Sequence, residues 1–432
     1  MTTNGTSKAS RSQPTPYEEA TLGFRNYWYP VFASKEVGKK PHGLKLLGEQ
    51  VVIMRGQKDG KVYAMDDECV HRGSLLSAGR GCEFKGTNTI TCGYHGWTYD
   101  LTDGMCVAVL PEGLDSRVPG KVKLRTYPIE ERKGIVWIWM GATEPVPVED
   151  DIPNLIIRDD TIVKFRHNVN YGNWRWHAEN PAAGHAQMIH RDSVQLWTSR
   201  PLPSFMPGDA EIIEDPDGLG VQRPDIRPGN FSDLPKKPPP IGLDFPGLGR
   251  WYMPPLWRRI VFWPWLRSGR QATAKPIHGI FSGKMFLPSV YRQPHFPSIG
   301  GSYYEWYVPV DEDHYIYFQV ACMWGSNPVS RAWKKLWYYL YGKPVGLTAF
   351  NNQDIEWVGQ TTDHVKRHDN RVYALGKLSQ HDLFHLKWRE YASEYARGVG
   401  GAKDRARSKP AQVEEAVPAI AGGAENAGDT KD

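Results

Sequence analysis

Two pairs of metal-binding side chains stand out in the first quarter of the chain. Cys69 and His71 flank Val70. Cys92 and His95 flank Gly93 and Tyr94, and 20 residues lie between the two pairs. Two thiolates and two neutral imidazoles suit a [2Fe–2S] cluster whose sulfurs hold one iron and whose nitrogens hold the other. Imidazole ligation raises the reduction potential relative to an all-cysteine cluster. The pairs must then sit on facing loops, so a long spacer is expected. A Cys2His2 set also suits a single tetrahedral zinc ion, which is the competing reading. The full runs, CVHRG at 69–73 and CGYHGW at 92–97, favour the cluster.

A second set is more dispersed. His185 and His190 have four residues between them, and Asp354 lies far downstream in FNNQD. Two histidines and one carboxylate form the facial triad of non-haem Fe(II) oxygenases, with open positions for O2 beside the substrate. Residues five apart on a regular α-helix are about 140° out of phase. A π-bulge or a broken helix must bring them together. Pro181 and Gly184 suit such a break. By itself the histidine pair is a weak signal among 14 histidines. His167, His177, His278, His295, His314, His364, His368, His381 and His385 read as surface or satisfied core groups.

The elements that must carry these side chains follow from pattern. Val51–Met54, Val62–Met65, Thr89–Cys92 and Ile135–Met140 are short, β-rich and separated by turns. They define a small all-β unit. A Pro/Asp-rich joint, Glu144–Pro153, marks its boundary. The pattern turns helical around Tyr171–Ser193. Strand signals return at Tyr303–Val310 and Tyr315–Met323. Residues 328–360 read as helical with an interruption near Gly342–Pro344. The segment 200–300, rich in Pro, Gly and Trp, has no clear pattern. The expected division is a disordered lead over 1–16, a cluster domain over 17–150, a catalytic domain over 151–397 and a disordered tail over 398–432.

Composition limits the function classes. A chain of 432 residues exceeds what one core usually serves, so two domains are expected. Its net charge of +5 is mild and unconcentrated, which argues against nucleic acid and suits a weakly acidic protein partner. The polar start and the lack of a long apolar run predict a cytoplasmic protein without a membrane span. Five cysteines in so long a chain argue against a disulfide framework. Cys82 and Cys106 read as buried small hydrophobes.

At this point the chain resembles the Rieske non-haem iron oxygenases, and within them the carbazole dioxygenase-type terminal oxygenases. The resemblance rests on LGFRNYWYPV, LKLLGE, ITCGYHGWTYD, KLRTYPIEERKG, EWYVPVDE and FNNQD, together with NWR, EN and IHRDS around the histidine pair. Coverage is close over 21–145, patchy over 165–195, 303–320 and 345–358, and essentially absent over 196–300 and the tail. Respiratory Rieske proteins carry two further cysteines, where this chain has Ser74 and Tyr94; the oxygenase type fits instead.

The resemblance implies an α+β chain, an all-β Rieske domain followed by a helix-grip catalytic domain of antiparallel sheet around helices. It implies a homotrimer in which one subunit's cluster lies beside its neighbour's iron. Cys69, His71, Cys92 and His95 would hold the cluster, and His185, His190 and Asp354 the Fe(II). The family's aspartate three residues before the first iron histidine is Ala182 here. Glu179 is the candidate replacement bridge, with Asn180 or a water as alternatives. Phe350 reads as a pocket wall by family position, or as core.

The aromatic and basic run at 249–270 reads as a pocket wall or lid, a subunit contact, or a membrane-surface patch. Without a nucleotide fingerprint or a plant-type ferredoxin cysteine run, electrons must come from a ferredoxin and an NAD(P)H reductase. The expected reaction puts oxygen from O2 into an aromatic or heteroaromatic compound, as dihydroxylation, hydroxylation or N/O-dealkylation. The rivals are a Rieske electron carrier with an inert second domain and a zinc-binding structural protein.

Overall fold

The computed structural model describes residues 14–180, 189–190, 211–215, 218–222, 283–296, 298–368 and 382–398. The expectations for residues 1–13, for 249–270 and for the tail beyond 398 lie outside them, as do Pro181, Ala182, Gly184 and His185. Thr15 and Pro16 belong to structure rather than to a lead. Thr15 caps helix α1 (Pro16–Glu19) in a capping box with Glu18.

The first unit holds ten short strands in three sheets. β1 (Tyr27–Ala33), β9 (Ile129–Arg132) and β10 (Ile135–Met140) form one sheet, with β10 central. β2 (His42–Leu46), β3 (Glu49–Arg55), β4 (Val62–Asp66) and β8 (Thr126–Tyr127) form the second. β5 (Thr89–Thr91), β6 (Trp97–Asp100) and β7 (Cys106–Val109) form the third, which carries the second cysteine–histidine loop. The four β-segments read from sequence match β3, β4, β5 and β10, except that Cys92 lies just past the end of β5. The predicted joint is ordered: Trp28 Nε1–H donates to the carbonyl of Val146 at 2.8 Å, and Val148 is buried. A four-residue helix α2 (Asn154–Ile157) follows.

The second unit is built on one seven-stranded antiparallel sheet. Its order is β11 (Ile162–Tyr171), β17 (His314–Met323), β16 (Gly301–Pro309), β15 (Val290–Phe296), β14 (Gly283–Phe286), β13 (Gly218–Gln222) and β12 (Glu211–Asp215). Four of these strands fall in the segment that had no readable pattern. The helical expectation from Tyr171 is corrected. Tyr171 ends β11, Gly172 turns the chain with φ of 140°, and Asn173 caps helix α3 (Trp174–Glu179) by accepting from Arg175 N–H.

After the sheet come α4 (Pro328–Trp337), a π-helical stretch (Tyr338–Phe350) and α5 (Asn351–Arg367). The expected interruption near Pro344 is thus a widened helix rather than a break. Proline lacks the N–H and crowds the preceding turn, so the wider π repeat is a natural accommodation. Helix α6 (Leu383–Tyr395) closes the described chain.

β16 is buried along its whole length and nearly all of β17 is too, because the sheet is covered on both faces. Tyr304, Trp306 and Val308 face the first unit, where Trp137 of β10 meets Trp306 edge-on at 5.5 Å. The turn after β2 adds to this seam: Leu47 N–H and Gly48 N–H donate to the carbonyls of Pro309 and Val310, both at 2.9 Å. One apolar core therefore runs through both units, and a second, smaller core lies under the cysteine–histidine loops.

The end of α6 is pinned to β1. The Arg397 guanidinium lies 3.9 Å over the Tyr27 ring and pairs with Asp151, whose other oxygen accepts from Trp28 N–H at 3.0 Å. Removing one partner of a buried pair leaves the other charge uncompensated. Arg397→Ala is expected to cost about 3 kcal/mol in urea unfolding, with partial recovery in Arg397→Lys.

Candidate cluster and iron sites

The two cysteine–histidine loops lie tip to tip. Each is folded back on itself by backbone bonds: Gly73 N–H to Cys69 O at 2.8 Å, and Gly96 N–H to Cys92 O at 3.1 Å. Gly73 and Gly96 take φ of 70° and 68°, which the loops require. Gly79 and Gly93 approach so closely that a Cβ on Gly93 would sit 3.2 Å from the Gly79 Cα. This cradle places both thiols in the buried interior and both imidazoles toward the rim.

The donor set fits the cluster. The His71 Nδ1 atom is buried with no protein partner, as expected of a nitrogen reserved for a metal. The rings of His71 and His95 are 4.6 Å apart at 71°, and Trp97 stacks on His71 at 5.0 Å. Burial, and then the His71 and Arg72 charges, hold His95 below its usual value, which keeps the imidazole neutral for ligation. Burial pushes the Cys69 thiol up; the Tyr99 hydroxyl offsets part of this and the neighbouring Cys92 adds to it. Bound iron relieves that repulsion. Two separate pairs suit two irons.

At the second site His190 and Asp354 come together, while His185 lies outside the described residues. His190 Nε2 is 3.2 Å from Asp354 Oδ2, and both side chains are buried. Two donors about 2.1 Å from one metal and at right angles would lie about 3.0 Å apart, so the pair suits two corners of a facial triad. The remaining atoms are already held. His190 Nδ1 is 2.9 Å from Gln353 Oε1, and Asn180 Nδ2 donates to Asp354 Oδ1 at 2.8 Å. Burial lowers the His190 value, but Asp354 and then Gln353 outweigh it and leave it raised.

Phe350 and Asn180 both lie beside the His190–Asp354 pair. Phe350 stacks on His190 at 3.6 Å and meets Phe296 edge-on at 5.7 Å. Asn180 contacts Asp354 directly. Glu179 is different. Its carboxylate accepts from Tyr17 Oη at 3.0 Å, and Arg389 grips it at 2.9 and 2.7 Å through Nε and Nη2. Both oxygens are taken within its own chain, tying α3 to α1 and α6. The bridging expectation for Glu179 is corrected in this arrangement, because a bidentate buried pair leaves it little freedom to reach elsewhere. Cys106 is buried as expected, but Cys82 is only partly buried, beside the hydroxyls of Thr87 and Thr89.

Other groups are invisible to motif reading. Tyr99 Oη lies 3.1 Å from Cys69 Sγ. Gln353 is hidden beside Asp354. Below the His190–Asp354 pair, Glu305 is buried with Tyr307 and Tyr317 hydroxyls donating to its two oxygens, the latter at 2.6 Å. His177 stacks on Tyr307 at 4.5 Å and bonds Tyr315 Oη at 2.6 Å, a satisfied core histidine as expected. Burial raises Glu305; the Tyr307 and Tyr317 hydroxyls pull back, the Asp354 charge adds, and the carboxyl ends at about 7.

Two predictions follow from this geometry. A thiolate accepts only, so Tyr99 must donate to Cys69, which stabilises the more negative reduced cluster. Tyr99→Phe is expected to lower the midpoint potential by about 40 mV, the equivalent of about 1 kcal/mol for one electron. Protein-film voltammetry reads this, and an unchanged potential removes the role. For Glu305, the unfolded value near 4.5 lies below the folded value of about 7. Raising the pH through that window deprotonates the unfolded chain first, so stability falls. Relative to Glu305→Gln, the wild type is expected to lose about 1 kcal/mol per pH unit from 4.5 to 7 and then level off. Parallel stability curves in chemical denaturation would count against a neutral Glu305.

Comparison with known proteins agrees with this geometry. Residues 27–128 match the family described as Rieske [2Fe-2S] domain, and residues 139–210 and 267–400 match the one described as homotrimeric ring hydroxylase. The carbazole 1,9a-dioxygenase terminal oxygenase component of Metapseudomonas resinovorans is 33% identical over 392 residues, covering 89% of this chain and 94% of the relative. The methylxanthine N3-demethylase of Pseudomonas putida is 34% identical, over only 30% of this chain and 37% of its own length. Among solved structures, the carbazole-bound oxygenase–ferredoxin complex of carbazole 1,9a-dioxygenase superposes with a TM-score of 0.71 at 29% identity, covering 89% of this chain and 92% of that one. Likeness of this extent, in both sequence and fold, makes the chain a member of the Rieske-type ring-hydroxylating oxygenase family.

Proposed function

We propose that this chain is the terminal oxygenase component of a multicomponent system that puts oxygen from O2 into an aromatic or heteroaromatic compound. The observation that carries the reading is the buried His190–Asp354 pair, two donors 3.2 Å apart beside an aromatic wall and one sheet away from a cluster domain. Cys69, His71, Cys92 and His95 are proposed to hold the [2Fe–2S] cluster, and His190 and Asp354, with His185, the Fe(II). When bound, the cluster supplies single electrons and the iron supplies O2 activation.

The chain's own residues set the conditions. Gln353 fixes the ring of His190 through its far nitrogen, so Nε2 faces the metal position. Asn180 holds one oxygen of Asp354 and leaves the other directed at His190. Phe350 stacks against His190 and removes water from that side, which strengthens every polar contact there. Phe350 and Phe296 bring aromatic rings to this pair, and an aromatic substrate is the class proposed.

Partners follow from the same reading. Structures similar to this one contain the oxygenase of carbazole 1,9a-dioxygenase bound to its ferredoxin. A ferredoxin and an NAD(P)H-dependent reductase are proposed as the electron source here. A homotrimer is proposed from the family description. Among the described residues no helix is long and apolar enough to cross a membrane, and a cytoplasmic location is proposed.

The outcome at the substrate is set by pocket shape. Likeness to a carbazole dioxygenase supports dihydroxylation, and the shorter likeness to a demethylase keeps dealkylation as the second reading. Turnover under ¹⁸O2 with reconstituted protein, a surrogate ferredoxin and a reductase separates them. Two labelled atoms in a diol are expected. One labelled atom with loss of an alkyl group moves the assignment to dealkylation. Two irons per chain, rather than three, with no labelled product, would support the electron carrier instead.

A further inference from the structure

A line of polar side chains crosses the catalytic sheet and ends on the helix that carries Asp354. It begins at Arg166 of β11, whose Nη1 donates to Gln319 Oε1 at 3.1 Å and to the carbonyl of Leu347 at 2.5 Å. Gln319 of β17 passes the line on, donating through Nε2 to Tyr303 Oη at 2.7 Å. Tyr303 of β16 also accepts from Asn351 Nδ2 at 2.5 Å. Asn351 is the first residue of α5, and Asp354 lies one turn further on the same helix. Every member named except Arg166 is buried to the level of the core.

Tyr303 accepts two hydrogen bonds, so its own proton must go elsewhere. Glu305 lies two residues on, on the same face of β16. Burial and then Glu305 push the Tyr303 phenol well above its ordinary range, so the hydroxyl keeps the proton it donates. Glu305 is in turn fixed by Tyr307 and Tyr317. Two accepted hydrogen bonds hold the Tyr303 oxygen between Gln319 and Asn351. A fully satisfied buried network is rigid, and the cost of leaving any member unpaired keeps it so.

We propose that Tyr303, held in place by Gln319, is a positioning residue that fixes the start of α5 through Asn351 and so sets the direction of the Asp354 carboxylate at the iron site. The proposal rests on Asp354 being an iron ligand, as argued above. Asn180 holds one Asp354 oxygen from the side, but nothing in that contact sets the rotation of the helix itself. The π-helical stretch before α5 lacks the tight repeat of an α-helix, so the ends of that stretch need external fixing. Arg166 at Leu347 and Tyr303 at Asn351 provide it, one before the α5 start and one at it. The sheet is the rigid body, and the polar line transfers its rigidity to one ligand.

The test uses full-length protein with its cluster loaded, its catalytic iron removed, and Co(II) as the probe metal. Co(II) affinity is measured by competition with a chelator, and site geometry by the visible ligand-field spectrum. Asp354→Ala is expected to abolish high-affinity Co(II) binding; if it binds as the wild type does, the ligand assignment fails, whatever Tyr303 does. With that assignment intact, Tyr303→Phe is expected to weaken Co(II) binding about tenfold or more and to shift the spectrum. Asn351→Ala removes the other end of the same bond and is expected to do the same. Tyr304→Phe, on the opposite face of the same strand, is expected to leave both readouts unchanged while it removes an equally buried hydroxyl. Unchanged affinity and spectrum in Tyr303→Phe overturn the proposal. Equal changes in all three variants overturn it as well, because general loosening of the sheet would then be the cause.

Discussion

An iron ligand in an oxygenase must be dry and must still keep one lone pair free. These demands conflict, because a buried polar atom without a partner is costly. The conflict is resolved only if every other polar atom nearby is satisfied by protein, leaving the metal as the sole missing partner. At His190 and Asp354, the proposed ligands, the protein side of that condition is visible in two hydrogen bonds. One nitrogen faces Gln353 and one oxygen faces Asn180, and the other nitrogen and oxygen lie 3.2 Å from each other. The sheet behind them carries the same logic further. β16 has an apolar face toward the first unit and a polar face toward α3 and α5, and on the polar face hydroxyls and amides saturate one another around Glu305.

The cluster site solves the same problem differently. Its thiols are buried, its imidazoles sit near the rim, and backbone turns rather than side-chain networks hold the loops. Glycines at positive φ make that possible. This difference explains what was legible in the amino-acid sequence. CVHRG and CGYHGW pack ligands and turn residues into adjacent positions, so local pattern carries the whole chemistry. The proposed iron site has its parts 164 residues apart at His190 and Asp354, and family likeness was needed to join them.

The supporting groups were hidden for a physical reason. Tyr303, Tyr307, Tyr315 and Tyr317 look like ordinary β-strand residues, and aromatic side chains are what strands favour. Only pairing across the sheet, Tyr307 against Tyr317 and Glu305 against Gln319, turns them into a cage. Glu179 misled for the opposite reason. Its place near the histidine pair suggested chemistry, but Tyr17 and Arg389, 162 and 210 residues away, claim both oxygens. Strands in the 200–300 segment were missed because its proline and glycine content masks alternation. Strong β-branched segments such as Ile135–Met140 were read correctly.

The shared apolar core has a bearing on how such proteins diversify. Trp137 and Trp306 interlock across the seam, and β1 and β10 are walled by β16 and β17. A cut at the boundary suggested by composition would slice through packed tryptophans and tyrosines. The lobe with its own separate core, built around Cys69, Cys92, Tyr99 and Leu124, is the part that can be exchanged as a self-contained module. Gene fusion and loop shuffling can therefore vary the electron-accepting tip while the seam strands stay with the catalytic sheet. The inheritable unit of this architecture is cut by its packing and not by its linkers.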